Sequence, residues 1–204
     1  KKGGGDKDIP RKSLMQIPAR FVVEMMNRGW TNRNEIIWYK PACMPQSAED
    51  RFTIDFEKIF FFVKQEKYYF EQQYDKSIWF EKDKRAITGG ITKSGKSITS
   101  EGKQYSISKS GSFRPDGMRN KRCVWKVNTK PFKESHFAVF PELLIETPIK
   151  AGCPPSGVVL DPFMGSATTA LVAKKLGRNY LGIELNPADI VMAEKRLRSC
   201  NPLL

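Results

Sequence analysis

The chain has 204 residues, enough for one hydrophobic core with at most a small appended lobe. Thirty-five Lys and Arg against 22 Asp and Glu leave a formal net charge of +13, which favours a polyanionic partner, nucleic acid first, over a basic surface that serves solubility alone. Cys43, Cys123, Cys153 and Cys200 are scattered without a C-x-x-C pair, so they read as reduced core thiols rather than as a zinc site or disulfide framework, and the single histidine, His136, excludes a multi-histidine metal centre within this chain. No apolar run approaches the ~20 residues that span a bilayer. The start, "KKGGGDKDIP", lacks the apolar core of a secretory signal, so the expectation is a cytoplasmic protein without a membrane partner.

In chain order, residues 1–13 are rich in Lys, Gly and Asp and read as irregular. "SLMQIPARFVVEMMNRGW" follows, with Phe21, Val22, Met25 and Met26 on one helical face and Gly29 as the stop. "NEIIWYKP" reads as a strand closed by Pro41, and "ACMPQSAEDR" as a polar loop. The run from Ile59 to Val63 is dense enough for a central strand, and Tyr68 to Phe70 begins another. From Lys82 to Arg122 the composition turns to Gly, Ser, Thr and Lys; such a segment builds no core of its own and is too long for an ordinary loop, which leaves function or disorder. "CVWKVNT" is a strand, and "HFAVFPELLIETPIKAG" holds a helix that starts near Pro141 or Glu142 and ends at Gly152. No internal repeat is visible.

The stretch 158–187, "VVLDPFMGSATTALVAKKLGRNYLGIELNP", reads as one βαβ unit. Val158, Val159 and Leu160 suit a buried, central parallel strand, broken by Asp161 and Pro162. Gly165 and Ser166 turn the chain into a helix carrying Ala170, Leu171, Val172 and Ala173, which Gly177 stops. A second strand, "NYLGIEL", brings Glu184 to the carboxyl edge, where open α/β sheets bind ligands. A glycine turn at one strand tip lets backbone approach a ligand, and a carboxylate at the next can accept both hydroxyls of a ribose. The short spacing and the lack of a further glycine count against a dinucleotide, and no Gly-Lys-Ser/Thr signals a P-loop.

Taken together, "GWTNRNEIIWYKP", "MPQSAEDRFTIDFEKIFFFVK", "HFAVFPELLIETPIKAG" and "VLDPFMGSATT...LGRNYLGIELNP" resemble the β-group of DNA amino-methyltransferases over residues 18–197, the last third being the most specific. The resemblance implies an α/β, Rossmann-like sheet of the S-adenosylmethionine-dependent methyltransferase kind, with an inserted basic target-recognition region. Block 1–81 would form the substrate side, 82–130 a flexible recognition insert, and 131–204 the cofactor part of the same domain. It also accounts for a cofactor turn so late in the chain, because in this group the catalytic half precedes the cofactor half. S-adenosylmethionine is the implied cofactor, with Asp161, Phe163, Gly165 and Ser166 lining its loop, Glu184 and Asn186 at the ribose end, and Phe140 and Pro141 facing its amino-acid end. Ala167 stands where many relatives have glycine, a small departure because alanine still permits a helix start.

By the same resemblance Trp38, Tyr39 and Lys40 lie beside the pocket for the flipped base, an ordinary core tryptophan being the alternative for Trp38. Arg51, with Asp50 and Glu57 in the same segment, meets a phosphate or a structural carboxylate partner, while His136 reads as a structural residue, contact with DNA or cofactor being the alternative. The basic tract, with Lys93, Lys96, Lys103, Arg119 and Arg122 among its cations, falls where the group places its target-recognition region; a solvated linker is the alternative.

The group's Asp, Asn or Ser followed by Pro-Pro and an aromatic occurs nowhere in the sequence, and "CPPSG" lacks both the polar acceptor and the aromatic. In the group that tetrapeptide lies upstream of the segment resembling residues 9–30, so the catalytic residue is unknown and the expectation is a polypeptide without its amino-terminal segment. A split enzyme and a noncatalytic DNA-binding or specificity subunit are the alternatives, and RNA or protein methylation suits the charge equally. The implied reaction is methylation of an exocyclic amine in double-stranded DNA within a restriction-modification setting. Cytosine N4 is favoured slightly over adenine N6, because "NEIIWYKPACMP" with "HFAVFP" resembles members whose tetrapeptide begins with serine. A homodimer and a cognate restriction endonuclease are left open as partners.

Overall fold

The computed structural model describes residues 9–76, 96–98, 104–106, 118–129 and 139–200. His136, Lys93 and Lys103 lie outside this set, and Lys96 enters only as a position on a strand. In chain order the elements are α1 (Ile17–Asn27), β1 (Thr31–Tyr39), β2 (Phe56–Val63), β3 (Tyr74–Lys76), β4 (Lys96–Ile98), β5 (Gln104–Ser106), β6 (Met118–Asn120) and β7 (Val124–Lys126). Then follow α2 (Glu142–Gly152), β8 (Val158–Asp161), α3 (Thr168–Lys175), β9 (Asn179–Gly182) and α4 (Pro187–Arg198).

Strand pairing draws distant segments together, and the chain divides into two units, each built from two stretches of sequence. One unit is Lys1–Tyr68 with Cys123–Pro141, and the other is Tyr69–Arg122 with Glu142–Leu204.

In the first unit β1 is the middle of a three-stranded sheet, antiparallel to β2 and parallel to β7. β2 therefore lies at the edge of the described sheet, not at its centre as its apolar density suggested. That density has another cause: aromatic side chains line both faces of the strand. Phe60 and Phe62 meet Phe21 of α1 at 6.3 and 6.1 Å between ring centroids, while Phe61 meets Tyr68 edge-on at 5.8 Å. α1 begins with a proline in its first turn and ends before Gly29, whose φ of +83° is costly for a residue with a Cβ. The expected strand at Tyr68 to Phe70 is absent; pairing resumes at β3.

The second unit holds the predicted βαβ segment. β8 and β9 are parallel, with Val158 opposite Asn179 and Asp161 opposite Gly182. Their connecting helix α3 buries every residue from Thr168 to Ala173. One side of α3 packs Val172 and Ala173 against Ile149 and Cys153 of the α2 region, with Val159 alongside. The other gathers Ala167 and Ala170 with Met164 and Ala193, the last on α4. Small residues at these positions let the two helices approach.

Within this unit β8 pairs with β9 alone among the described residues. The expected burial of the strand is not met: Val159 is only partly buried, and Val158 and Leu160 are 64% and 58% exposed. Helix α3 covers one face, and side chains alternate across a strand, so those two point away from it. Within the basic tract β4 pairs with β5, and β6 pairs with β3; main-chain hydrogen bonding needs no apolar side chains, so this pairing is compatible with a segment that builds no core of its own. Cys153 and Cys200 are buried as expected of core thiols, whereas Cys123 is exposed and Cys43 intermediate. Among the described residues no helix is long and apolar enough to cross a membrane.

Candidate cofactor and nucleic-acid sites

The tips of β8 and β9 are laced together. The amide of Ile183 donates to the Asp161 carbonyl at 3.0 Å, and that of Met164 donates to the Ile183 carbonyl at 2.9 Å. Asp161 ends its strand and bends the chain, its Oδ1 accepting from the Phe163 amide at 3.0 Å. Gly165 follows with φ +51°, and its amide donates to Oε2 of Glu184 at 2.8 Å. The same carboxylate accepts through Oε1 from the amides of Leu185, at 2.8 Å, and Asn186, at 2.9 Å. Glu184 thus joins the two loops and is aimed by three main-chain donors.

A carboxylate offers about four acceptor positions and these amides take up three, so a ligand diol binds there by exchange with at least one present partner. The other predicted cofactor residues divide by exposure. Phe163 is 88% exposed and presents an apolar ring at the mouth of the loop. Ser166 is buried, its hydroxyl and carbonyl both accepting from Arg196, so its side chain faces protein. Asn186 caps α4: its Oδ1 accepts from the Ala188 amide at 3.1 Å, and its side-chain amide donates to Asp189. Phe140, half-buried, and Pro141, buried, directly precede α2 and belong to the unit that holds β1. Ala167 takes φ +64° with no exposed surface, so it accepts the left-handed conformation that a glycine would adopt freely.

Trp38 is 6% exposed, and its indole N–H donates to the Val127 carbonyl at 2.8 Å. Lys40 lies 4.6 Å from the ring centroid and pairs with Glu57. This geometry favours the core alternative over a pocket wall. Trp38→Phe should therefore lower stability by about 1–2 kcal/mol, the consequence of a buried carbonyl losing its donor. Denaturant titration checks this; unchanged stability together with weakened substrate binding would return Trp38 to the pocket.

Among the cations, Arg51 is exposed and has no partner among the described residues, since Asp50 pairs with Lys12 and Glu57 with Lys40. A phosphate role is left open to it, and the carboxylate alternative is not formed. On β6, Arg119 lies opposite Asp75, yet its Nε and Nη1 are buried without an acceptor. Asp75 is engaged instead by Lys121 at 3.0 Å and by the Arg122 amide at 3.4 Å. The sequence reading missed Arg196 and the contact between Gly182 and Met164. Neither leaves a local signal.

The N6/N4 DNA methylase family model matches residues 4–195, and the chain belongs to that family of DNA amino-methyltransferases. It is 37% identical to the Type II methyltransferase M.XycI of Xanthomonas campestris pv. cyanopsidis, covering 93% of this chain and 52% of that protein. To M.SmaI of Serratia marcescens it is 36% identical, over 91% of this chain and 53% of the relative. The chain spans about half the length of these curated relatives. Among solved structures, the M1.HpyAVI–SAM complex matches with a TM-score of 0.59 at 23% identity, covering 91% of this chain and 71% of that one. The PvuII DNA methyltransferase, described as cytosine-N4-specific, also matches with a TM-score of 0.59, at 18% identity over 94% of this chain and 59% of that one. The fold is accordingly the Rossmann-like α/β fold of S-adenosylmethionine-dependent methyltransferases.

Proposed function

We propose that this chain forms the cofactor-binding and DNA-recognition parts of a methyltransferase that moves a methyl group from S-adenosylmethionine to an exocyclic amine of double-stranded DNA. The observation that carries the reading is the junction at the strand tips, where the Gly165 amide meets the Glu184 carboxylate beside the exposed Phe163 ring. A nucleoside fits such a junction: a carboxylate for ribose hydroxyls, a turn without a Cβ for close approach, and apolar surface for a base. S-adenosylmethionine supplies a methyl already activated on a sulfonium, so the protein's task is to hold donor and amine in line and to exclude water.

Asp161 and Glu184 set the position of the cofactor loop, and the cations of the recognition tract neutralise phosphates. The acceptor base is rotated out of the duplex to reach the methyl group. Cytosine N4 is favoured over adenine N6, from the resemblance of "NEIIWYKPACMP" and "HFAVFP" to serine-type members. The relatives' designation as Type II methyltransferases supports a restriction-modification setting.

The test is incubation with radiolabelled S-adenosylmethionine and mixed-sequence duplex DNA, followed by separation of the nucleosides. Labelled N4-methylcytosine or N6-methyladenine establishes the activity and names the base. Intact cofactor binding without label means that this chain is the cofactor and recognition part of a larger enzyme. For the recognition tract, alanine at Lys93, Lys96 and Lys103 should lower the salt slope of duplex binding by up to about 2.7 units if all three meet phosphates. An unchanged slope assigns those lysines to a linker.

A further inference from the structure

The turn that Glu184 holds from one side is held from the other by a residue far along the chain. Arg196, in the last turn of α4, directs Nη1 at three oxygens around the start of α3: the Ser166 carbonyl, the Ser166 hydroxyl at 2.9 Å and the Thr168 hydroxyl at 3.4 Å. Ser166, Ala167 and Thr168 are buried, at 4%, 0% and 3% exposure. Their polar atoms depend on protein partners. The turn also contains two left-handed residues, Gly165 at φ +51° and Ala167 at φ +64°. A left-handed alanine is disfavoured and persists where its neighbours fix it.

We propose that Arg196 is a positioning residue of the cofactor site, which fixes the Gly165–Ala167 turn so that its backbone presents to S-adenosylmethionine independently of Glu184. The inference rests on the cofactor reading of the 161–186 region. Glu184 can hold the turn only while its carboxylate accepts from the Gly165 amide, and a ribose hydroxyl competes for that carboxylate. Arg196 grips the next residue through its carbonyl and hydroxyl, on the protein side, where no ligand competes.

The guanidinium is not the sole anchor of α4. Ala193 packs with Met164, Ala167 and Ala170, and Leu197 lies against the same cluster. Lys174 of α3 also donates to the Leu197 carbonyl at 2.8 Å. Arg196→Met keeps the aliphatic stem and removes the donors, so α4 should stay in place while the turn loosens.

The experiment measures S-adenosylmethionine affinity by calorimetric titration of the full chain as wild type, Arg196→Met and Arg196→Lys. It adds duplex DNA affinity, the thermal midpoint, and amide hydrogen exchange across 161–168. Arg196→Met should bind the cofactor about tenfold or more weakly, since small misplacements of positioning groups carry penalties of that order or greater. Exchange should accelerate within 161–168, DNA affinity should hold, and Arg196→Lys should restore part of the cofactor affinity. Wild-type cofactor affinity in Arg196→Met overturns the proposal, as does a loss that merely tracks the unfolded fraction. If Arg196→Met fails to fold, Arg196→Lys and Ser166→Ala decide: cofactor affinity equal to wild type in both overturns it, and a graded loss upholds it. If the wild type itself binds no S-adenosylmethionine, the cofactor reading falls and this proposal with it, a result distinct from the first because no variant is involved.

Discussion

Glu184→Ala is expected to reduce S-adenosylmethionine affinity by about a hundredfold or more. The carboxylate is aimed by the amides of Gly165, Leu185 and Asn186, so its orientation is fixed before a ligand arrives. Hydrogen bonds to a charged acceptor contribute roughly 1.5–3 kcal/mol each. Losing the two that a ribose diol would make corresponds to about two decades of affinity or more, at ~1.4 kcal/mol per decade. Glu184→Gln should behave closer to the alanine variant than to wild type. Whichever way its amide turns, an NH2 donor faces a main-chain N–H, and the junction loses a bond and gains a repulsion. The effect on stability should be modest, because Leu185 is 93% exposed and water can reach its amide. Calorimetric titration with S-adenosylmethionine reads the first result and a thermal melt the second. Wild-type affinity in Glu184→Ala would remove the ribose role and with it the main support for the cofactor site.

Gly182→Val should destabilise the second unit by about 1–3 kcal/mol, the usual range for an overfilled contact. A Cβ at position 182 would stand 1.9 Å from Cε of Met164 and 3.0 Å from its Cγ. The tip of a methionine can swing aside and its Cγ can follow by rotation about Cα–Cβ, but its Cβ, 3.2 Å from the added atom, moves only with the loop. Met164 is also buried against Ala167, Ala170 and Ala193. Moving it shifts the residue before Gly165, so cofactor affinity should fall along with stability. The check is a double-mutant cycle with Met164→Ala. That change costs stability by opening a cavity, but it makes room for the valine, so Gly182→Val should be markedly less harmful in that background. Equal cost in both backgrounds would show that the clash is absorbed elsewhere.

Several features were legible in sequence because their causes are local. Apolar spacing and a glycine stop placed α1, and the βαβ segment announced itself through two short apolar strands, a glycine turn and Glu184 at the second tip. The helix start at Glu142 followed from the proline before it. Long-range relations were not legible. Phe60, Phe61 and Phe62 gave apolar density that suited a central strand, and only the pairing with β1 shows that the aromatics serve two faces of an edge strand. Trp38 offered two readings until the Val127 carbonyl, 89 residues away, took its indole N–H.

The sequence by itself determined the family, the order of the elements and the identity of the loop residues at the β8 and β9 tips, since each depends on neighbours along the chain. The tertiary structure alone decided what holds that loop. Arg196 is 30 residues from Ser166, Glu184 is 19 from Gly165, and Met164 fills the space that Gly182 leaves empty. Those contacts exist because α3 brings β8 and β9 side by side and α4 folds back onto α3, and pairings across such separations follow from packing that no local pattern encodes.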